Sequence, residues 1–304
     1  MAHNHDHSHA VRSLKNISRA FYIGIALNLG FTLVEFIVGY QSNSLALIAD
    51  ASHNLSDVAS LIISLIGLKL AQKAATAAYS YGYKKASILA SLINSVILIA
   101  VVINIFVEGI QRLSAPPEVL GQAIIITALI GVFINTISAF LFYKDQKDDI
   151  NIKGAYLHLM LDAVISVGVV ISGVVIYYTG WTIVDPLISF VVGIVILVST
   201  WSLLKESLKL TLDGIPKGIE LVEIRNLIAD NQEVMSVHHV HIWALSSTEN
   251  ALTAHISLVE DAFSAKKIDE IKKKIKHQLA HQNIQHATIE IESSLDECGD
   301  EDCC

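Results

Sequence analysis

A chain of 304 residues is long enough for two ordinary domains, and its 53% hydrophobic content and mean hydropathy of +0.53 exceed what soluble proteins usually show. The formal charge of -8 gathers in the C-terminal third, which ends in the acidic "DECGDEDCC", so no basic footprint for nucleic acid is present. An integral membrane protein is expected, with the lipid bilayer as its first partner.

The chain opens with "HNHDHSH", which sets His3, His5, His7 and His9 at alternate positions in a segment, residues 1–16, too polar to fold alone. It reads either as a weak zinc collector or as a solvated tract. It lacks the charged-then-apolar start of a cleavable signal peptide, so the first span is expected to be retained. Apolar segments of about 20 residues, the length that crosses a hydrocarbon core of roughly 30 Å, then recur at 19–40, 45–71, 86–110, 120–143, 154–178 and 183–204. This predicts an α-helical membrane domain of six transmembrane helices over 17–210. Basic residues fall in alternate loops. Arg12, Lys15 and Arg19 precede the first span, Lys69, Lys73, Lys84 and Lys85 follow the second, and Lys144, Lys147 and Lys153 follow the fourth, against Arg112 alone in the loops between. By the positive-inside bias both termini are expected in the cytoplasm, and the natural membrane for a bacterial source is the inner one.

Hydropathy drops after Leu212, and "DGIPKG" reads as a linker. Beyond it the pattern gives helix at 218–231, strand at 236–245, strand at 251–259, helix at 264–282 and strand at 286–292. The order αββαβ predicts a small cytoplasmic α+β ferredoxin-like domain over 211–293. A core of under about 90 residues stabilises a fold only marginally, so pairing into a homodimer is expected. Strand alternation sets His239 and His241 on one face and His238 on the other. His277 and His281, on the second helix, read as exposed. The tail at 294–304 holds Cys298, Cys303 and Cys304, for which free thiols or metal ligands are expected over disulfides.

The second span carries "LIADASHNLSDVASLI", with Asp50, His53 and Asp57 among apolar residues. Ionisable groups at a helix centre cost about 2.5–3.5 kcal/mol each on insertion scales, so they need a compensating reason. His53 and Asp57 are four apart, hence neighbours on one helical face. In the fifth span "HLMLD" repeats the spacing with His158 and Asp162. Two H-x-x-x-D pairs on adjacent helices would supply two imidazoles and two carboxylates, a tetrahedral zinc set. Mixed nitrogen and oxygen ligands favour zinc over magnesium, calcium or manganese, with cobalt, cadmium and nickel as competitors. Polar contacts between helices would explain one such pair more easily than two at identical spacing. Asp50 either faces the same cavity as a supporting or proton-path carboxylate, or sits near the headgroups beside "QSNS". Glu35, Glu108, Asn28, Asn94, Asn104 and Asn135 read as interhelical hydrogen bonds or interface positions.

At these residues the chain resembles the cation diffusion facilitator family of zinc transporters, in its zinc-type branch. The stretches that carry the resemblance are "SNSLALIADASHNLSD", "YSYGYKKASILASLIN", "HLMLDAVISVGVVI", "DPLISFVVG" and "VHHVHIWAL". The resemblance implies a six-helix domain with a cytoplasmic ferredoxin-like domain, acting as a homodimer that exchanges cytoplasmic Zn2+ for protons. It implies a transport site of His53, Asp57, His158 and Asp162. It further implies a zinc ion of structural or regulatory role in the cytoplasmic domain, held by His239, His255 and Glu290 or Glu292, with His286 as a further candidate. The family's second metal site in the loop after span two is expected to be absent, because "KLAQKAATAAYSYGYKKAS" has neither Asp nor His. Lys85 and Asp213 match a pair that the family places at its dimer junction, and both also read as solvated interfacial charges.

Zinc needs neutral imidazole and ionised carboxylate, so metal and protons compete for one site. A membrane-bound zinc sensor is the first rival to a proton-coupled exporter, and an intramembrane zinc enzyme the second. The chain shows no H-E-x-x-H motif and no separate general base, and no nucleotide-binding motif accompanies its histidines.

Overall fold

The structure is a computed structural model that describes residues 19–71, 73–143 and 150–292. Six long helices come first: α1 (Arg19–Gln41), α2 (Leu45–Ala71), α3 (Ala86–Ser114), α4 (Gly121–Phe142), α5 (Ile150–Thr179) and α6 (Val184–Thr211). Over the described residues, four stretches are long and apolar enough to cross a bilayer: Ala86–Ser114, Gly121–Phe140, Tyr156–Thr179 and Val184–Thr211. Leu29–Gln41 of α1 is a shorter apolar stretch, and α2 runs for 27 residues. Helix ends follow local chemistry. Pro116 and Pro117 stop α3, while Pro186 sits in the first turn of α6, where a missing N–H costs nothing. Asn43 takes a left-handed φ of 55° and turns the chain from α1 into α2.

The described residues fall into two compact units, the first reaching Leu61 and including Ile97–Thr200, the second taking Ile62–Val96 and everything from Trp201. In the first unit α4 lies along α5 and also touches α1. From Leu45 to Asn54 every residue of α2 except Ile48 is buried, so this segment is enclosed on all sides. One apolar cluster joins Leu45 and Ala49 to Val102, Ile105, Ile165 and Val192, and another joins Ala46 and Leu47 to Ile124, Ala128 and Val169. Large apolar side chains such as Ile103, Phe133, Phe140 and Val198 point outward, as a lipid-facing belt requires. Glycines let α3 and α6 approach: a Cβ on Gly109 would stand 2.5 Å from the Phe190 ring, and one on Gly193 2.5 Å from the Phe106 ring.

In the second unit the elements are α7 (Leu221–Ala229), β1 (Val234–Ala244), β2 (Asn250–Leu258), a 3-10 turn (Glu260–Ala262), α8 (Ala265–His281) and β3 (His286–Glu292). The sheet order is β1-β2-β3, antiparallel between β1 and β2 and parallel between β2 and β3. This is the αββαβ order expected from the sequence. Ile224 and Ile228 of α7 and Ile271, Ile275 and Leu279 of α8 form one core with Val240, Ile242, Leu252, Ala254, Ile256 and Ile289. Ser264 caps α8 by accepting from the Lys267 amide at 3.3 Å. The same unit contains the segment between α2 and α3, where Lys84 pairs with Glu249, Lys85 pairs with Asp213, and the Ser247 amide donates to Ser87 Oγ at 3.1 Å.

Candidate metal sites

Within the first unit, α2 and α5 bring two histidines and a carboxylate together, with His53 and Asp162 buried and His158 exposed. His53 Nε2 lies 3.1 Å from Asp162 Oδ1, with both side chains under a tenth exposed. His158 stands one turn before Asp162 on α5, and its Nε2 lies 3.7 Å from the other oxygen, Oδ2. The two imidazole rings meet edge to face at 5.9 Å. One carboxylate is thus flanked by two imidazoles from different helices. Asp57 lies one turn beyond His53 on α2, and its side chain lies outside the described residues. His3, His5, His7, His9 and the three cysteines also lie outside them.

Asp50 is wholly buried and accepts a hydrogen bond from Ser166 Oγ at 2.9 Å. Glu35 accepts from Asn54 Nδ2 at 2.9 Å, linking α1 to α2 as an interhelical contact. Glu108 pairs with Arg112 one turn along α3, and Arg112 also donates to the Asn43 carbonyl and approaches Asp185 at 3.8 Å. Sequence reasoning missed Asp185. Its Oδ1 accepts from Ser44 Oγ at 2.6 Å and from the Ala46 amide at 3.3 Å, while Oδ2 accepts from the Leu45 amide at 2.6 Å. A carboxylate on α6 therefore caps the N-terminus of α2, the helix that carries His53. The signal was the Asp-Pro step at the start of an apolar run.

On the sheet, the second cluster differs from the expected one. The alternation that would pair His239 with His241 is broken by a bulge between His238 and His241, with His239 at a left-handed φ of 49°. His238 is opposite His255 in the ladder and points its Nε2 at Glu292 Oε2, 2.8 Å away. His255 Nδ1 lies 2.6 Å from Glu292 Oε1, and His255 Nε2 lies 3.5 Å from Glu290. Donor atoms of His238, His255 and Glu292 all fall within 4.8 Å of one another. His239 stacks at 4.9 Å on the His255 ring and completes the aromatic side of the cluster. His286 is set apart: it pairs with Ala251 at the far end of β3, about 20 Å along the strand from Glu292, and meets the Tyr81 ring at 5.4 Å. Partial burial works against charge on Glu292, but hydrogen bonds from His255 and His238 outweigh it and hold the carboxyl below the usual range. His277 and His281 are exposed, as expected, with their rings 4.7 Å apart.

Two nitrogens and a carboxylate are donors of the kind zinc accepts, so the residues of the sheet cluster fit that ion. Residues 21–210 match the family described as the cation efflux transmembrane domain, and residues 216–294 match the cation efflux protein cytoplasmic domain. The "Cadmium, cobalt and zinc/H(+)-K(+) antiporter" of Bacillus velezensis is 37% identical over 95% of this chain and 92% of its own length. The "Metal cation efflux system protein CzcD" of Cupriavidus metallidurans is 37% identical over 95% and 89%. The "Zinc transporter ZitB" of Escherichia coli is 32% identical over 100% and 96%. With the two domain matches covering nearly all of the described residues, the chain belongs to the cation efflux family, the cation diffusion facilitators.

Proposed function

We propose that this protein exports Zn2+, with Cd2+ or Co2+ as further cargo, from the cytoplasm in exchange for protons. The cargo site is His53, Asp57, His158 and Asp162. The observation that carries the reading is the meeting of His53 and His158 on the two oxygens of buried Asp162. Full-length relatives named for zinc transport and for divalent-metal antiport support it.

The ligands themselves couple metal to protons. Imidazole has a reference pKa near 6.5, so a modest fall in pH charges it and opposes a dication at the same nitrogen. When the site faces a more acidic compartment, protonation favours metal release. Facing the cytoplasm, neutral imidazoles and ionised carboxylates favour capture. Alternating access follows if α2 and α5 move together relative to their neighbours while keeping the ligand set.

The domain arrangement behind this reading is a tail at 1–16, a membrane domain at 17–210, a cytoplasmic domain at 211–293 and a tail at 294–304. Both termini face the cytoplasm of a plasma membrane, as the basic loops suggest. His238, His255 and Glu292 hold a resident zinc ion, which would supply a cross-link between the strands and a positive charge on the sheet. The chain works as a homodimer, a reading supported by the match to the family's cytoplasmic domain.

Zinc flux into liposomes carrying the reconstituted protein tests the exporter. Flux driven by a pH gradient is expected with the parent and is expected to vanish in Asp162→Ala and in the double variant His53→Ala, His158→Ala. A parent that binds zinc and carries none in either gradient direction sinks the exporter and favours a zinc sensor.

A further inference from the structure

The first unit buries two carboxyls that the cargo site does not use. Glu35 on α1 and Asp50 on α2 are both 0% exposed, and Asn54, to which Glu35 is hydrogen-bonded, follows Asp50 by one turn on α2, so the two carboxyls lie along the same helical face. Each is held at one oxygen by a neutral donor, Asn54 for Glu35 Oε2 and Ser166 for Asp50 Oδ2. The other oxygen of each, Glu35 Oε1 and Asp50 Oδ1, is buried without any hydrogen-bond partner. Among the described residues neither carboxyl forms an ion pair with a lysine or arginine.

Two adjacent carboxylates cannot both stay ionised with only an amide and a hydroxyl to stabilise them, because burial and like charge act in the same direction. One proton resolves both problems. Bound to one bare oxygen and donated to the other, it removes one charge and satisfies both orphaned atoms, as in paired carboxyls that share a proton.

We propose that Glu35 and Asp50 hold one proton between Oε1 and Oδ1, and that this proton is exchanged during transport separately from any proton taken up by the cargo ligands. The proposal rests on the reading of His53 and Asp162 as part of the cargo site. Asp50 precedes His53 by one turn on α2, and its hydrogen-bond partner Ser166 follows Asp162 by one turn on α5. The ionisable groups that act on Asp50 are Glu35 of α1, His53 of its own helix and Asp162 of α5. A dication seated at His53 and Asp162, one turn from Asp50 and from Ser166, repels a proton held there: the O–H bond breaks, its electron pair stays on the carboxylate, and the proton passes to water on the side then open. Metal departure draws a proton back from the opposite compartment.

Infrared difference spectra of the full-length protein in detergent, recorded near neutral pH with and without zinc, test the site directly. A protonated-carboxyl band is expected in the metal-free parent, with loss of that band on zinc addition. Glu35→Gln and Asp50→Asn should each abolish it. In liposomes the same variants should keep zinc-for-zinc exchange and lose the flux that a pH gradient drives. Absence of the band from the parent, its indifference to zinc, or full gradient-driven flux in both variants would overturn the proposal. If neither variant folds, the zinc-sensitive band of the parent decides alone. A parent that carries no zinc in either mode defeats the exporter reading, while the infrared result still judges the carboxyl pair.

Discussion

His238 and His239 are neighbours in sequence, yet the bulge gives them different work. His238 reaches the Glu292 carboxylate, and the His239 ring sits tilted beside the His255 ring. If the cluster binds zinc as proposed, His238→Ala should weaken binding by at least about 100-fold, beyond the 10–100-fold typical of losing an outer supporting partner. His241→Ala, whose residue is exposed and pairs with Thr253, should leave affinity unchanged. Competition with a fluorescent chelator measures both, and equal losses would disprove the assignment. The sequence showed histidines and carboxylates on three strands. It did not show which of them meet, because a bulge depends on the register with β2, and one extra residue reverses every side chain before it.

Glu292 adds a pH dependence at the same scale. Its folded carboxyl is held below the usual range, so it contributes stability that is present above the ordinary carboxylate value near 4.3 and fades as pH falls through the depressed folded value. Metal-free protein should therefore lose thermal stability on acidification in that window, and Glu292→Gln should flatten this part of the profile. Melting curves collected across acid pH would show it. Identical slopes for parent and variant would assign the acid sensitivity to other groups.

Elements show the same division between what patterns reveal and what packing decides. The lengths of α1 to α6 and the αββαβ order follow from apolar run length and period, which are local properties of the sequence. The cap on α2 comes from 140 residues away, so no local pattern announces it. Asp185→Ala would orphan the Leu45 and Ala46 amides and the Ser44 hydroxyl at a buried helix start. With lost caps costing about 0.5–2 kcal/mol and unsatisfied buried groups about 1–3 kcal/mol, a destabilisation on the order of 3 kcal/mol is expected. Detergent melting temperatures should fall clearly for Asp185→Ala and less for Asp185→Asn, which keeps one acceptor oxygen. The contact between α3 and α6 makes a parallel demand. Gly193→Ala places a methyl against the Phe106 ring and should cost about 1–3 kcal/mol by overpacking, whereas half-buried Gly168, with nothing near its missing Cβ, should accept alanine without loss.

For the whole molecule, the sequence reading identified the membrane domain and the small α+β domain, because each depends on residue type and spacing. It could not place Glu35 against the face of α2 that carries Asp50 and Asn54, since these helices meet only through tertiary packing. Nor could it foresee how the segment between α2 and α3 is held. That segment shares a unit with the β1–β2 turn, through Lys84 with Glu249 and through the Ser247 amide on Ser87 Oγ. Both side chains of the ion pair are partly exposed, at 26% and 34%, so water screens much of their attraction. Reversing one charge, as Lys84→Glu or Glu249→Lys, should lower thermal stability, and reversing both should restore most of the loss. A coupling of about 0.2–1 kcal/mol is expected from a pair of this exposure. Salt separates this coupling from the neutral hydrogen bond beside it: raising ionic strength should erase the difference between single and double reversals while leaving the penalty of Ser87→Ala intact. A coupling that survives high salt would mean that packing, rather than charge, holds the segment to the turn.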